Sequence, residues 1–304
     1  MLKRTLCFES DGSLFVRNRQ LVFVAKVSPD NRSASVPIED IGVVILESRH
    51  IMVSTYALDA LSEAGAVVIV CDGDHMPSGS MLPLAGHTLT QKTTEAQLEA
   101  TKALKEKLWK QTVVAKIRNQ AACLRRNGIA GADDVAQFAR YVSAGDPENR
   151  EGQAAARYFK AWNLVRQTVR SGVANPLNSA LNYGYSLIRA AMARALSGTG
   201  LLCVSGIHHH GQYDPFVLAD DIMEPYRPFV DDLVLANRNR LAALPIDSGL
   251  DRTIKIELLK SLARDVSMEG VSSPLLVAMS RTSASLAACF ERREQKLHYP
   301  EFSE

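Results

Sequence analysis

The chain has 304 residues, 35 Lys plus Arg against 33 Asp plus Glu, and a hydrophobic fraction of 46%. That length allows two domains, the composition excludes a disordered or fibrous chain, and a formal net charge of +2 leaves any affinity for nucleic acid or a membrane surface to uneven placement of charge. Five scattered cysteines (Cys7, Cys71, Cys123, Cys203, Cys289) form no CxxC pair, which argues against a disulfide framework and a zinc-thiolate site.

In chain order, the N-terminus meets charge at Glu9 and Asp11 before any apolar h-region, so no secretory signal is expected. No stretch approaches the ~18–20 apolar residues of a membrane span. A cytoplasmic protein with reduced thiols is the expectation. LFVRNRQLVFVAKV places β-branched and aromatic residues on either side of a polar turn, Arg17–Gln20, and predicts a hairpin. ASVPIEDIGVVILE repeats short Val/Ile runs. VSTYALDALSEAGAVVIVCD then predicts a short helix capped by Ser54 and stopped at Gly65, followed by a buried strand. DGDHMPSGSMLPLAGHTLT, 72–90, is rich in Gly, Pro and Ser without periodicity and reads as the loop between domains.

Beyond about residue 92 the pattern is helical. One long segment runs to Gly128, ADDVAQFARYVSAG is a shorter helix, and Asp146–Pro147 reads as an N-cap with proline at the first helical position. Helices over 176–198, 223–244, and near 251–266 and 274–296 complete the pattern. The fold class expected is α+β with several domains: a small mainly-β domain over 1–75, a linker over 76–92 and a larger all-α domain over 93–304.

Three features carry chemistry. At roughly 100° per residue, Glu151 shares a helical stripe with Ala155, Tyr158, Trp162 and Val165. A carboxylate on that inward stripe calls for a metal ion or a basic partner, unless it only complements the helix dipole with Glu148. The segment GIHHHGQYDPFVLADDIMEPYRP, 206–228, holds His208, His209 and His210, then Asp220, Asp221 and Glu224. Adjacent side chains diverge, so the three histidines cannot all reach one ion. Asp221 and Glu224 are spaced i, i+3, and Asp220 and Glu224 i, i+4, so either pair shares a helix face, with Pro225 breaking or restarting the helix. Histidine plus carboxylates suits Mg²⁺ or Mn²⁺, although an exposed His loop followed by a capped helix fits the same residues. Finally, Lys102, Lys105, Lys107, Lys110, Lys116, Arg118, Arg125 and Arg126 face a single acid, Glu106, within 25 residues. That run can neutralise phosphates or form a solvated helix face. Together the three describe a metal-dependent enzyme acting on a polyanion, with phosphodiester chemistry the leading class.

Three strings, NREGQAAARYF (149–159), NPLNSALNYGYSLI (175–188) and GIHHHGQYDPFVLADDIMEPYRP (206–228), resemble the CRISPR-associated integrase family, the endonuclease that inserts new spacers into a CRISPR array. The N-terminal VVILESRHIMVSTYALDALSEAGAVVIVCD is similar to that family's β-domain, and the DPFVLADDIMEP wording is most similar to the type II version. The resemblance implies a dimerising β-domain and a helical catalytic domain in which a Glu, a His and an acid hold Mg²⁺ or Mn²⁺: Glu151, His209 (chosen by an H-x-G arrangement) and Glu224, with Asp221 accessory. It further implies double-stranded and branched DNA as substrate, a 3′-hydroxyl nucleophile, a homodimer, a small ferredoxin-like partner and an RNA-guided effector nuclease as associate. Tyr183 is a candidate DNA-positioning group, and Lys102, Lys105, Lys110, Lys116, Arg118, Arg125 and Arg126 are candidate DNA contacts. KLHYPEFSE at the C-terminus is a candidate docking tail. A structure-specific repair nuclease and a DNA-binding scaffold are the rival readings.

Overall fold

A computed structural model describes residues 3–26, 33–73, 76–83, 89–162, 175–245 and 250–302. The hairpin forms as the sequence predicts. Strands β2 (Gly12–Arg17) and β3 (Gln20–Ala25) pair antiparallel with Arg17 opposite Gln20. The two residues between them, Asn18 and Arg19, both have positive φ (50° and 58°), the conformation whose twist suits a two-residue hairpin loop. With β4 (Ser33–Pro37) and β6 (Ile51–Val53) they make a four-stranded sheet in the order β4-β3-β2-β6.

A second sheet runs β1-β5-β7-β8, from β1 (Arg4–Phe8), β5 (Ile41–Leu46), β7 (Val67–Cys71) and β8 (Pro77–Met81). Strands β1, β5 and β7 are parallel. Parallel strands are covered on both faces and therefore read as continuous apolar runs, which is what IGVVIL and VVIVC are. Val44 and Val68 pack with Leu14, Leu21, Ala57 and Leu61 towards the first sheet and α1 (Thr55–Glu63). Val43, Ile45, Val67 and Ile69 join the helical core on the other side. Helix α1 starts where expected: the Ser54 hydroxyl accepts the Ala57 amide at 3.2 Å, and Gly65 turns the chain at φ +67°.

Strand β8 corrects the linker reading. Residues 77–81 pair antiparallel with β7, because a sheet edge is joined through the main chain and asks for no apolar pattern. Helical structure begins at α2 (Thr90–Leu98) and restarts at α3 (Lys102–Arg126), whose N-cap Thr101 accepts the Leu104 amide. One long helix was expected there; Thr101 divides it. The expected helix after Gly131 shrinks to α4 (Ala132–Ala136) and a 3-10 turn over Gln137–Tyr141. Pro147 and Glu148 precede α5 (Arg150–Ala161), whose N-cap is Asn149. Asp146 nonetheless caps it from outside, since its carboxylate accepts the amides of Arg150 at 2.8 Å and Glu151 at 2.9 Å.

The core of the helical domain is α6 (Pro176–Ser197), flanked by α7 (Val217–Met223), α8 (Arg227–Ala236), α9 (Arg238–Ala242), α10 (Arg252–Lys260) and α11 (Leu275–Phe290). The helix expected near 251–266 ends early, in a 3-10 turn over Ser261–Ala263; a hairpin of β9 (Asp265–Met268) and β10 (Val271–Pro274) then adds strand to a domain read as all helix. Of the segment read as a candidate docking tail, residues 297–302 pack on the helical domain. Leu297 is buried, Asn119 donates to the Pro300 carbonyl at 2.9 Å, and the Phe302 ring stacks on Phe229 at 4.3 Å.

Gly184 explains a glycine inside a long helix. A Cβ there would lie 2.4 Å from Val230 Cγ1, so α6 and α8 cross at a distance only glycine permits. Gly184→Ala is expected to destabilise the fold by roughly 1–3 kcal/mol through overpacking, despite alanine's higher helix propensity. Adding Val230→Ala should recover part of the loss in urea denaturation; equal losses in the single and double variants would remove this explanation.

Candidate active site

Four elements converge. Helix α5 presents Glu151 in its first turn. The inward stripe is real: Tyr158 and Trp162 are buried, Ala155 is partly so, and Val165 lies outside the described residues. The α7–α8 junction presents Glu224, where Pro225 sets a 3-10 turn over Glu224–Tyr226 between the two helices. The loop 206–216 presents the histidines. Helix α3 contributes Lys116, one of the residues read from sequence as an exposed DNA contact. It is instead 9% exposed, and its ammonium lies 2.5 Å from Glu151 Oε1 and 2.5 Å from Glu224 Oε2. A lysine this deep needs paired acids, and these two are its partners.

The charges at this point are coupled. Burial opposes the charge on Lys116, but Glu224 and Glu151 outweigh it and hold its pKa above the ordinary value. Burial likewise opposes ionisation of Glu224, and Lys116 and Arg227 overcome it, leaving that carboxyl below its usual range. Glu224 Oε1 also faces Arg227 Nε at 2.9 Å.

The three histidines separate cleanly. His208 stacks flat on Trp109, with centroids 4.2 Å apart and planes 2° apart, and burial lowers its pKa. His209 places Nδ1 2.7 Å from Asp221 Oδ1. A carboxylate only accepts, so the proton sits on Nδ1 and the lone pair on Nε2, which has no hydrogen bond among the described residues. His210 is exposed. Both His209 and His210 line a cavity of about 490 Å³ with Glu224, Arg227, Tyr185 and Arg189.

Asp221 is 0% exposed and does not face the cavity. Its carboxylate accepts the backbone amides of Ile207 (2.7 Å), His208 (2.9 Å) and His209 (3.1 Å) besides the imidazole. It therefore fixes both the loop and the ring. Gly206 makes this possible, since a Cβ there would lie 2.8 Å from Asp221 Oδ2. Asp220, the other acid at helical spacing to Glu224, is held by Arg189 at 2.5 Å, and burial raises its pKa to about 6.

Tyr183 lies elsewhere. It is fully buried, its hydroxyl has no hydrogen-bond partner among the described residues, and it lies near Cys7, Glu47 and Cys71 of the second sheet. The tyrosine on the cavity wall is Tyr185, which donates to Asp231 and carries the Arg227 guanidinium 4.6 Å above its ring. Sequence reading missed Tyr185, Arg189, Arg227 and the role of Lys116. A signal was present for α6: Asn182, Ser186 and Arg189 follow i, i+4, i+7 on an apolar helix and all line the cavity.

Of the other basic residues on α3, Lys102, Lys107, Lys110, Arg118, Arg125 and Arg126 are exposed and Lys105 is partly so. Arg125 pairs with Asp133, Arg126 with Asp232 and Lys102 with Glu106. Lys105, Lys107, Lys110 and Arg118 have no acid partner among the described residues.

Glu151, Glu224 and His209 fit a hard divalent cation by their donor chemistry. Glu224 Oε2 is a buried oxygen in ionic contact with Lys116 but without a hydrogen bond of good geometry, as a position shaped for a cation requires. The one group that brings three metal-type ligand atoms within 4.8 Å of one another among the described residues is Cys7, Glu9 and Glu47. Its acids are already neutralised by Arg252 and Lys255, which makes it an ion-paired seam between the sheet and α10. No helix among the described residues is long and apolar enough to cross a membrane.

Residues 6–248 match the family model described as CRISPR associated protein Cas1. The CRISPR-associated endonuclease Cas1 of Neisseria meningitidis serogroup C (strain 8013) is 36% identical over 305 residues, covering 99% of this chain and 97% of that protein. In fold, the chain is similar to a casposase bound to integration product, with a TM-score of 0.79 at 21% identity over 98% of this chain and 92% of that one. It is also similar to a chain of a Cas6-RT-Cas1–Cas2 complex, with a TM-score of 0.72 at 17% identity over 97% of this chain and 35% of that one. At those identities the structural likeness speaks for the fold.

Proposed function

Because this chain belongs to the CRISPR-associated Cas1 family, an endonuclease and integrase family, we propose that it is a metal-dependent DNA integrase that inserts new spacers into a CRISPR array by transesterification. The observation that carries the reading is the convergence of Glu151 and Glu224 on one cation position, with His209, its Nδ1 held by Asp221, on the wall of the cavity that Glu224 also lines. Glu151, His209 and Glu224 would hold Mg²⁺ or Mn²⁺. When bound, the ion supplies polarisation of the scissile phosphate and activation of a 3′-hydroxyl.

The chain's own residues do the rest. Asp221 keeps the Nδ1 proton on His209 and so keeps Nε2 available as a ligand. Arg227 and Arg189 line the cavity beside Glu224 and offer planar donors to phosphate oxygens. Lys105, Lys107, Lys110 and Arg118 extend positive charge along α3 for the DNA backbone. The incoming 3′-oxygen forms one P–O bond as one P–O bond of the target strand breaks, so phosphodiester bonds are conserved and no nucleotide triphosphate is consumed. Water in place of the 3′-hydroxyl gives nuclease activity at the same site.

Joining two ends at a fixed separation needs two sites. That requirement, with the Cas1–Cas2 assembly among the structural relatives, supports a homodimer formed through the N-terminal strands and a small ferredoxin-like partner. An RNA-guided effector nuclease is the proposed associate for a type II version.

A gel assay tests the reading. DNA with a labelled 3′-hydroxyl end and a repeat-containing target are incubated with the protein and its partner, in Mn²⁺, Mg²⁺ or EDTA. Joined product is expected with metal, is absent in EDTA, and is lost by at least about a hundredfold in His209→Ala, the scale of removing a group that sets transition-state charge. Cleavage of branched DNA without joining would instead favour a repair nuclease. Salt-sensitive binding with no product in any metal would leave a DNA-binding scaffold.

A further inference from the structure

Lys116 is the group at the site that the reaction above leaves without a role. It stands on α3 among Thr112, Val113, Ile117 and Gln120, all buried, and its ion-pair partners among the described residues are the two acids. Its ammonium occupies the space between Glu151 and Glu224, the pair assigned to the metal. A divalent ion held by both carboxylates needs the space the ammonium now fills, and two cations that close together repel each other strongly in a buried site. The helix itself is pinned: Asn119, one turn further on, donates to the carbonyl of Pro225 at 2.8 Å, directly beside Glu224. The flexible four-carbon stem of lysine is therefore the part free to move.

We propose that Lys116 is the internal counter-cation of the metal site, holding Glu151 and Glu224 together in the metal-free protein and displaced when the divalent ion binds. The proposal rests on the metal-dependent reading above. Metal occupancy is then a competition, and the affinity of the wild type for its ion is weaker than its ligand set alone would give. The same competition keeps two facing carboxylates from repelling each other before the ion arrives.

The test is isothermal titration of Mn²⁺ into the full-length protein, with thermal unfolding followed in parallel. The proteins compared are the wild type, Lys116→Met, Lys116→Arg and the double variant Lys116→Met/Glu151→Gln. Removing the competitor is expected to lower the Mn²⁺ dissociation constant by at least about tenfold. Metal-free Lys116→Met should melt below the wild type and recover most of the loss with Mn²⁺, so its metal-induced shift is the larger one. The double variant should regain metal-free melting temperature, since only one carboxylate then faces the gap. Lys116→Arg, with a bulkier and permanently charged head, should bind Mn²⁺ more weakly than the wild type. Equal Mn²⁺ affinity in the wild type, Lys116→Met and Lys116→Arg would overturn displacement while leaving metal-dependent chemistry standing. Failure of every protein to bind Mn²⁺ would overturn both. Should Lys116→Met fold only with Mn²⁺ present, that supports the proposal; should it not fold at all, the Lys116→Arg affinity decides.

Discussion

Asp221→Ala is expected to lose on the order of 3–5 kcal/mol of stability and, with it, strand transfer. The carboxylate is wholly buried and receives four donors, three successive backbone amides and the His209 ring. Each buried donor left unmade costs about 1–3 kcal/mol, and partial relaxation keeps the total below the sum. The effect on catalysis follows separately. Without its Nδ1 partner, His209 is free to rotate and to move its proton to Nε2, where it no longer offers a lone pair to a metal. Asp221→Asn is no rescue, because Oδ2 accepts two amides and Oδ1 an amide and the ring, and an amide NH₂ in either place meets donors. Glu224→Gln is the contrasting variant: it removes the charge of a proposed metal ligand but leaves the loop 206–216 anchored. Urea denaturation and the strand-transfer gel, run on both, separate the roles. A midpoint for Asp221→Ala equal to that of the wild type would show that the loop does not depend on this carboxylate.

The same contrast shows what the sequence can and cannot announce. The hairpin at Asn18–Arg19, the Ser54 cap and the buried Val/Ile strands are local, set by turn chemistry and period, and they appear where the residues predict them. Glu151 was legible because a charge on an apolar stripe breaks the local pattern. Strand β8 was not, because PSGSM joins the sheet by main-chain pairing at an exposed edge. The β9–β10 hairpin was equally hidden within a helical stretch. Lys116 was misjudged for a deeper reason. Within α3 it is one basic residue among eight, and only the approach of α5 and the α7–α8 junction, 35 and 108 residues away in sequence, distinguishes it from its exposed neighbours. Tyr183 and Tyr185 pose the same problem in miniature. Both stand in one NYGY string, at about 200° from each other around the helix, and the packing of α6 sends the first beneath the sheet and the second to the cavity. The one local hint is the polar stripe of Asn182, Ser186 and Arg189, which runs beside Tyr185 rather than Tyr183.

Asp231→Asn is expected to leave stability nearly unchanged at pH 3, below the unfolded pKa, and to raise it at pH 8. Asp231 on α8 is buried, with Tyr158 donating to Oδ2 at 2.9 Å and Tyr185 donating to Oδ1. Burial pushes its pKa up to about 7, from an ordinary 3.8, against the opposing pull of the two tyrosine hydroxyls. The folded chain therefore holds this proton more tightly than the unfolded chain does. Its contribution is fully present below the unfolded pKa, and is lost as pH rises from about 4 to about 7. Above that window folding carries the cost of a buried ionised acid, for which three units at 1.36 kcal/mol each give a ceiling of roughly 4 kcal/mol. Asparagine copies the neutral acid: it keeps one acceptor, and its NH₂ can donate to a tyrosine oxygen in place of the acid proton. Other groups titrate in the wild type as well, Asp220 in the same direction and Glu291, held down to about 2, in the opposite one. The difference between variant and wild type cancels them and isolates Asp231. Parallel stability curves from pH 5 to 8 would mean that the carboxylate is stabilised as an anion after all. The outcome bears on the site, because Tyr158 belongs to the helix that carries Glu151 and Tyr185 to the cavity wall. Below about pH 7 a neutral Asp231 ties α5, α6 and α8 together without adding negative charge behind Glu151 and Glu224, which leaves the field at the cation position to the two acids that face it.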